Sequence, residues 1–571
     1  MASMKNYPLY ETTVFEDYRI MVENVAAKYP DRVGISYKVK ASDKESVGIT
    51  YEQGRQLTRD YGTALVKLGC RERHCAIIGG ASAGWVFTYF ALMAIGAVTV
   101  PLDRDWPADD LATTVARAEC EYVFYSSDVA DKLETIAAKN PSVKKYICIW
   151  GQGREGDESK EALTAAGREM YLSGDRTYYD YKIDPDRMAS IVFTSGTTGK
   201  GKGVMLSQTN IVSDMTQGMY NFAIGEKTMC FLPLHHTFGS TVNLTGHYAQ
   251  GAEIYISSGL RYIQKELKEQ KPTHLVLVPL FVETLYKKIW ATAREKGQEK
   301  KLRAAMKMSN AMRKIGIDKR KDLFKSVLDV FGGRCEMIIC GGAALNQNVI
   351  DFFEAIGITI LNGYGITECA PLISCNRNKW QKQGSVGTPI IGEQVKIADP
   401  DENGEGEICV KGPNVMLGYY KDEEATAAAF DEDGYFHTGD WGKLDSDGWI
   451  YITGRLKNII ILSNGKNVYP EELETEISRI EGVAEAVVYA GESSSSGSQT
   501  DIIVAEIYPD AELLASRGVQ DFQRYFEDAI KAINAKNVAY KAINRVKIRN
   551  EEFIKNTSRK ITRFSIDKRI D

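Results

Sequence analysis

This chain of 571 residues has only six histidines and no CxxC pair. So little imidazole makes a histidine-built metal cluster a poor expectation. The missing CxxC removes zinc-ribbon and thioredoxin-type readings. The ten cysteines lie scattered at 70, 75, 120, 148, 230, 335, 340, 369, 375 and 409. An excess of one charge is lacking too: 71 Lys/Arg stand against 76 Asp/Glu, a formal charge of −5. That near-balance argues against a nucleic-acid coat or a polyacidic tail. No apolar run is long enough for a membrane span. The nearest, Trp85–Val100 (WVFTYFALMAIGAVTV), is interrupted by Gly96 and two threonines, and a span takes roughly 20 residues. It reads as a buried helix followed by a buried strand. The opening MASMKNYPLYETTVFEDYRI has no apolar stretch suited to a signal peptide. The expectation is therefore cytoplasmic, with the cysteines as free thiols in a reducing medium.

What is present is an ordinary globular composition, 44% hydrophobic and 26% charged, which excludes wholesale disorder. At about 150 residues per unit, the length corresponds to about four domain-sized pieces. Leu57, Tyr61, Leu65 and Leu68 share one face of a helix predicted over 51–68. Further helices are expected at 82–95, 109–119 and 128–140. They alternate with strands at 74–80, 97–102, 121–126 and 143–150. That alternation implies parallel βαβ units. Residues 151–185 are polar and read as a loop or surface excursion. Strands resume at 188–196, 274–280 and 335–342. The basic helical stretch 287–325 reads as a solvated face, with a membrane-surface or acidic-ligand face as the rival. Short strands and Gly/Asp turns make 384–456 a β-rich subdomain. A new α+β unit starts after Arg455. The expected fold is α/β: a large N-terminal body, 1–456, of βαβ subdomains plus the β-rich subdomain, and a small mobile α+β domain, 457–571.

The strongest local signal is IVFTSGTTGKGKGVMLS, residues 191–207. An apolar strand runs into Thr194, Ser195, Gly196, Thr197, Thr198 and Gly199, then Lys200, Gly201, Lys202 and Gly203. Glycines remove bulk, so backbone N–H groups can wrap a polyphosphate while hydroxyls and lysines add donors and charge. The bland alternative is a surface turn. A second rival is the P-loop G-x-x-x-x-G-K-[ST], which Gly196 to Lys202 fits through seven positions. The eighth is Gly203, where such a loop needs its magnesium-binding hydroxyl. The miss falls on the residue with the mechanistic task.

TSGTTGKGKGV resembles the phosphate loop of the adenylate-forming (ANL) superfamily: acyl-CoA synthetases, luciferases and peptide-synthetase adenylation domains. Four more segments follow in the family's order: CGGAAL (340–345), NGYGITE (362–368), YFHTGDWG (435–442) with TGRLKNIIILSNGKNVYPEELE (453–474), and TSRKITR (557–563). Together they span most of the chain. Within CGGAAL, Gly342, Ala343 and Ala344 are the implied neighbours of base or ribose. Asn362, Gly363, Tyr364 and Gly365 continue that surface, with the Tyr364 ring able to stack on adenine. Thr367 can donate to the α-phosphate. Glu368 is a hard oxygen ligand suited to Mg²⁺ between phosphates. Asp440 resembles the carboxylate that accepts the ribose hydroxyls, and Arg455 is a fixed cation beside it. By the same resemblance His236, Gly341 and Gly365 line the carboxylate-substrate pocket. Lys457 falls at the hinge. Gly465 and Lys466 face the thiol acceptor. Lys560, with Glu368 and Thr194, is the implied catalytic set. A mobile lysine offsets the repulsion between carboxylate and ATP. Lys555 is its competitor.

Three positions depart from the family pattern: Gly201 for proline, Gln208 for histidine and Arg559 for glycine. None removes a charged catalytic group. The resemblance implies a carboxylate–CoA ligase using ATP, Mg²⁺ and CoA. It makes an acyl-AMP from a fatty or related acid and releases pyrophosphate, then AMP. SNGKNVYPEELE and LPLHHTFGS look most like the long-chain branch. The alternatives are a carrier-protein pantetheine thiol as acceptor, a P-loop kinase, or a catalytically weak nucleotide-binding homologue. The near-neutral total also conceals a basic end: residues 541–571 hold ten Lys/Arg against four Asp/Glu.

Overall fold

A computed structural model describes residues 9–194, 201–464, 466–493, 499–555 and 561–570. Its largest sheet has eight strands. Their order is Gly418–Tyr419, Gly203–Ser207, Met188–Phe193, Val98–Leu102, His74–Ile78, Tyr122–Ser126, Lys145–Trp150 and Glu158–Ser159. From Met188–Phe193 onward every pairing is parallel, while Met188–Phe193 meets Gly203–Ser207 antiparallel. A second sheet orders His274–Leu277, Met337–Gly341, Thr359–Gly365, Leu372–Cys375 and Thr388–Pro389. Its first three strands are parallel, so Gly341 and Gly365 fall at the carboxyl ends of neighbouring strands. That edge is where open α/β sheets bind ligands.

Local chemistry explains the elements that carry this frame. The helix Tyr51–Leu68 starts at a reciprocal cap: Thr50 Oγ1 accepts from the Gln53 N–H, and Gln53 Oε1 accepts from the Thr50 N–H. All twelve residues of the helix Ala83–Ala94 are buried, and Val98–Leu102 is buried throughout. The 85–100 segment is thus a core helix and strand, each large side chain contributing about 1.5–3 kcal/mol. No helix among the described residues is long and apolar enough to cross a membrane.

Residues 151–185 depart from the loop expected of them. They hold the helices Lys160–Leu172 and Thr177–Asp180. The first packs on Tyr51–Leu68 through Gly167, where a Cβ would lie 1.8 Å from Asp60 O. A polar composition concealed a helix whose contact is backbone on backbone. The basic stretch is two helices, Pro279–Glu295 and Glu299–Lys314, followed by the short turns Arg320–Leu323 and Lys325–Leu328. Leu302, Ala305 and Met306 pack on the core while most of the charged positions stay exposed.

The β-rich segment is less self-contained than its pattern implied. Four of its strands form an antiparallel sheet: Gln394–Ala398, Gly406–Lys411, Phe436–Leu444 and Ile450–Arg455. Thr388–Pro389 joins the second sheet instead, and Gly418–Tyr419 joins the largest one. After Arg455, LKNIIILS has an extended, apolar pattern that predicts a strand, but most of it is not one. It is a short turn, Leu456–Asn458, and two strand residues, Ile460–Ile461. The C-terminal sheet is Val483–Glu492, Gln499–Pro509 and Arg545–Ile548. It has its own core, including Leu473, Ile477, Val488, Ala505 and Phe526.

Candidate functional site

The glycine-rich loop leaves the Met188–Phe193 strand at Thr194. Its ends are tied: the Thr194 N–H donates to Lys202 O at 3.0 Å. Arg117 donates to Gly201 O at 3.0 Å. Ser195, Gly196, Thr197, Thr198 and Gly199 lie outside the described residues. Lys202 Nζ stands over the Tyr419 ring, 4.3 Å from its centroid. The Tyr419 hydroxyl donates to Glu368 Oε1 at 3.0 Å. Burial first, then Glu368, pushes that hydroxyl's pKa far up. Lys202, Tyr419 and Glu368 therefore form one chain of contacts, and the sequence had given no sign of Tyr419.

The second half of the site grows from Thr359–Gly365. A Cβ at Gly365 would sit 1.9 Å from Pro371 O, so only glycine fits. Thr367 and Glu368 follow in a single turn, Thr367–Cys369. Tyr364 is buried, and its hydroxyl donates to Asp440 Oδ2 at 2.7 Å. Asp440 lies opposite Arg455 in the antiparallel register, and Arg455 Nε stands 2.7 Å from Asp440 Oδ1. The carboxylate is 3% exposed and the guanidinium 42%. Burial, then Asp440, keeps the Tyr364 hydroxyl protonated.

An open cavity of about 2030 Å³ collects these groups. Gly342, Ala343, Ala344, Asn362, Gly363, Tyr364, Gly365, Asp440, Arg455 and Lys457 line it. Residues of the C-terminal part line it too, among them Glu471, Glu474, Glu485, Thr562, Arg563 and Phe564. Gly341, Thr194, Lys202, Thr367, Glu368 and His236 are not among its lining residues. Gly341 is beside Gly363 in parallel register, and a Cβ there would meet Phe238 at 3.5 Å. The His235 and His236 rings are 4.1 Å apart. Burial, then Arg104, holds the His235 imidazole down to about 4, so it is neutral beside Asp103 at 3.5 Å.

Lys560, Arg559 and Gly465 lie outside the described residues. The competitor Lys555 also lines the cavity, but its ammonium is held by Glu485 and by Glu552. Burial, then Arg455, lowers the Lys457 pKa. Lys466 Nζ stands 5.9 Å from the Tyr540 ring centroid, and neither residue is among those lining the cavity. Tyr469 stacks on Trp441 at 5.7 Å, joining the segment after Lys457 to the strand of Asp440. Gln208 is buried. It donates to Met93 O and accepts from the Tyr18 N–H, so it ties two helices together.

Residues 22–420 match the family model described as AMP-binding enzyme. The chain belongs to that family, within the ANL superfamily. The match to this AMP-binding family stops short of Asp440 and Arg455, which the geometry brings to the same cavity. The long-chain-fatty-acid–CoA ligase 1 of Cavia porcellus is 30% identical over 531 residues, covering 87% of this chain and 75% of that protein. The chloroplastic long-chain-fatty-acid–[acyl-carrier-protein] ligase AEE15 of Arabidopsis thaliana is 28% identical over 542 residues, covering 81% and 73%. Among solved structures, the anthranilate CoA ligase AuaEII in complex with anthranoyl-AMP shares the fold. Its TM-score is 0.76 at 18% identity, over 99% of this chain and 98% of that one.

Proposed function

We propose that this AMP-binding enzyme is an ATP-dependent carboxylate–CoA ligase. The acid's carboxylate attacks the α-phosphate of ATP, giving acyl-AMP and pyrophosphate. The CoA sulfur then attacks the acyl carbon and AMP leaves. The observation that carries this reading is the Tyr364–Asp440–Arg455 cluster on the rim of the large cavity. A buried carboxylate flanked by a guanidinium and a phenol donor is suited to accept ribose hydroxyls. Gly342, Ala343, Ala344, Asn362, Gly363 and Gly365 give the base and ribose a surface with little side-chain bulk.

The reaction brings anions together, and two groups of this chain meet that repulsion. The loop Thr194–Lys202 supplies backbone donors and the Lys202 charge. Glu368 offers a carboxylate that fits Mg²⁺. Tyr419 occupies Oε1, and among the described residues Oε2 has no hydrogen-bond partner. When bound, Mg²⁺ supplies charge neutralisation between phosphates. Thr367 donates to the α-phosphate. Lys555 is engaged by two glutamates, which supports Lys560 as the lysine for adenylation. His236 and Gly341 belong to the acid's side of the site. The body 1–456 and the domain 457–571 turn about Lys457 between the two half-reactions, bringing Gly465 and Lys466 to the thiol. The acid is a long-chain fatty acid, as the name of the Cavia porcellus relative indicates. Ten free, buried thiols support a cytoplasmic setting.

The name of the Arabidopsis relative supports a second acceptor, a carrier-protein thiol. One experiment separates the readings. Carboxylic acids of graded length are offered with ATP and Mg²⁺, with and without CoA, and the products are measured. AMP release that needs a long-chain acid and CoA is expected. AMP release with a carrier protein but not with CoA would transfer the assignment to that acceptor, and ADP as product would sink both.

A further inference from the structure

Opposite the nucleotide cluster, on the same antiparallel sheet, three ligand-type side chains converge. Glu407 and Cys409 are two apart on Gly406–Lys411, and His437 begins the Phe436–Leu444 strand's approach to Asp440. Cys409 pairs directly with His437, and the register shifts between Glu407 and Cys409. Two apart on one strand, Glu407 and Cys409 share a face, and both side chains reach one imidazole. Cys409 Sγ is 3.5 Å from His437 Nδ1, and Glu407 Oε2 is 2.7 Å from the same nitrogen. The three ligand atoms all lie within 4.8 Å of one another.

We propose that Glu407, Cys409 and His437 form a binding site for a thiophilic divalent cation of the zinc class. With Zn–S near 2.3 Å and Zn–N near 2.05 Å, a tetrahedral S···N edge is roughly 3.5 Å. The cysteine–histidine spacing already has that length. The N···O edge must open to roughly 3.4 Å, a small withdrawal of one carboxylate. To bind a metal through Nδ1, the neutral imidazole must carry its proton on Nε2. Nε2 lies 4.0 Å from Asp431 Oδ2, beyond hydrogen-bond reach. On binding, the Cys409 thiol proton goes to solvent. Thiolate and carboxylate together balance the cation's charge. The nearby Lys396 ammonium is already paired with Asp431. His437 is about a third exposed, which gives the ion a way in while Cys409 is buried. Water completes the fourth position.

The site is one residue removed from the nucleotide cluster. Glu407 Oε1 accepts from the Gly439 N–H at 2.9 Å, and Gly439 precedes Asp440. The proposal does not rest on the ligase reading, since its test reads the metal. Cobalt(II) is titrated into the full chain with thiols kept reduced, and the sulfur-to-cobalt charge-transfer band is followed. A saturable band is expected, displaced by zinc, lost in Cys409→Ser and in His437→Gln. No band, or a band unchanged in Cys409→Ser, would overturn the site. Cadmium-113 resonance of the unaltered chain gives a readout that needs no variant. A shift in the mixed sulfur–nitrogen–oxygen range supports the proposal, and an all-oxygen shift overturns it.

Discussion

Tyr364 and Asp440 are 76 residues apart, yet the tyrosine hydroxyl donates to the buried carboxylate at 2.7 Å. The bond joins the end of a parallel strand to a strand of a different sheet. It fixes one Asp440 oxygen while Arg455 fixes the other. A hydrogen bond to a charged group contributes about 1.5–3 kcal/mol. Tyr364→Phe should therefore raise the ATP concentration for half-maximal AMP release by about ten-fold or more. Asp440→Ala should do more, because it removes the ribose acceptor itself. Calorimetric binding of AMP checks both without turnover. Unchanged AMP affinity in Asp440→Ala would remove this carboxylate from the nucleotide site.

The Lys202–Tyr419–Glu368 chain separates two effects. Tyr419→Phe keeps the ring under Lys202 and removes only the hydroxyl. Its expected loss in kcat/KM for ATP is about ten-fold. Glu368→Gln keeps the shape and the Tyr419 partner but removes the charge that suits Mg²⁺. The Mg²⁺ concentration for half-maximal activity should rise in Glu368→Gln and stay near normal in Tyr419→Phe. Equal Mg²⁺ midpoints in all three proteins would take Glu368 out of the metal role.

These two cases also show what the chain discloses before it is folded. Helix Tyr51–Leu68 was legible because its cap and its apolar face are local. NGYGITE and HTGD stand out in the sequence because particular residue types sit at fixed spacing, and the fold brings their Tyr364, Gly365 and Asp440 to one cavity. Tyr419 was not legible. Its place comes from a two-residue strand that pairs with Val204 and Met205, more than 200 residues earlier. The Glu407–Cys409–His437 cluster was hidden for the same reason, since the pairing of two strands leaves no trace in either. The basic stretch 287–325 has a helical pattern, but no pattern says that Lys287, Lys288, Arg294 and Arg303 line the cavity.

The helix missed within 151–185 gives a direct test of its cause. Gly167→Ala has helix propensity on its side, by about 1 kcal/mol. Against it stands a Cβ 1.8 Å from Asp60 O and 3.0 Å from the Ala64 nitrogen. Neither is a flexible side-chain end, so the helix must move, and overpacking of this kind costs about 1–3 kcal/mol. Thermal unfolding should show a net loss. A gain in stability would mean that the two helices are not in backbone contact.

Glu393 offers a test in which the sign matters. Both its carboxyl oxygens are buried, with no hydrogen-bond partner among the described residues, although its stem is partly exposed. Burial pushes its pKa up to about 8. The folded chain therefore holds this proton more tightly than the unfolded one. Between the ordinary carboxylate range and pH 8 the native state binds the extra proton, so stability falls as pH rises through that window. Nearby Asp214 is raised as well, first by burial, and titrates in the same direction. Glu393 adds to that rise, so the difference between the two proteins reads Glu393 together with its coupling to Asp214. Glu393→Gln is neutral at every pH. Near pH 5 the variant and the natural chain should melt together. Above pH 8 the variant should be the more stable, by on the order of 1 kcal/mol or more. A melting-temperature gap that stays flat from pH 5 to pH 9 would show that Glu393 does not carry this proton.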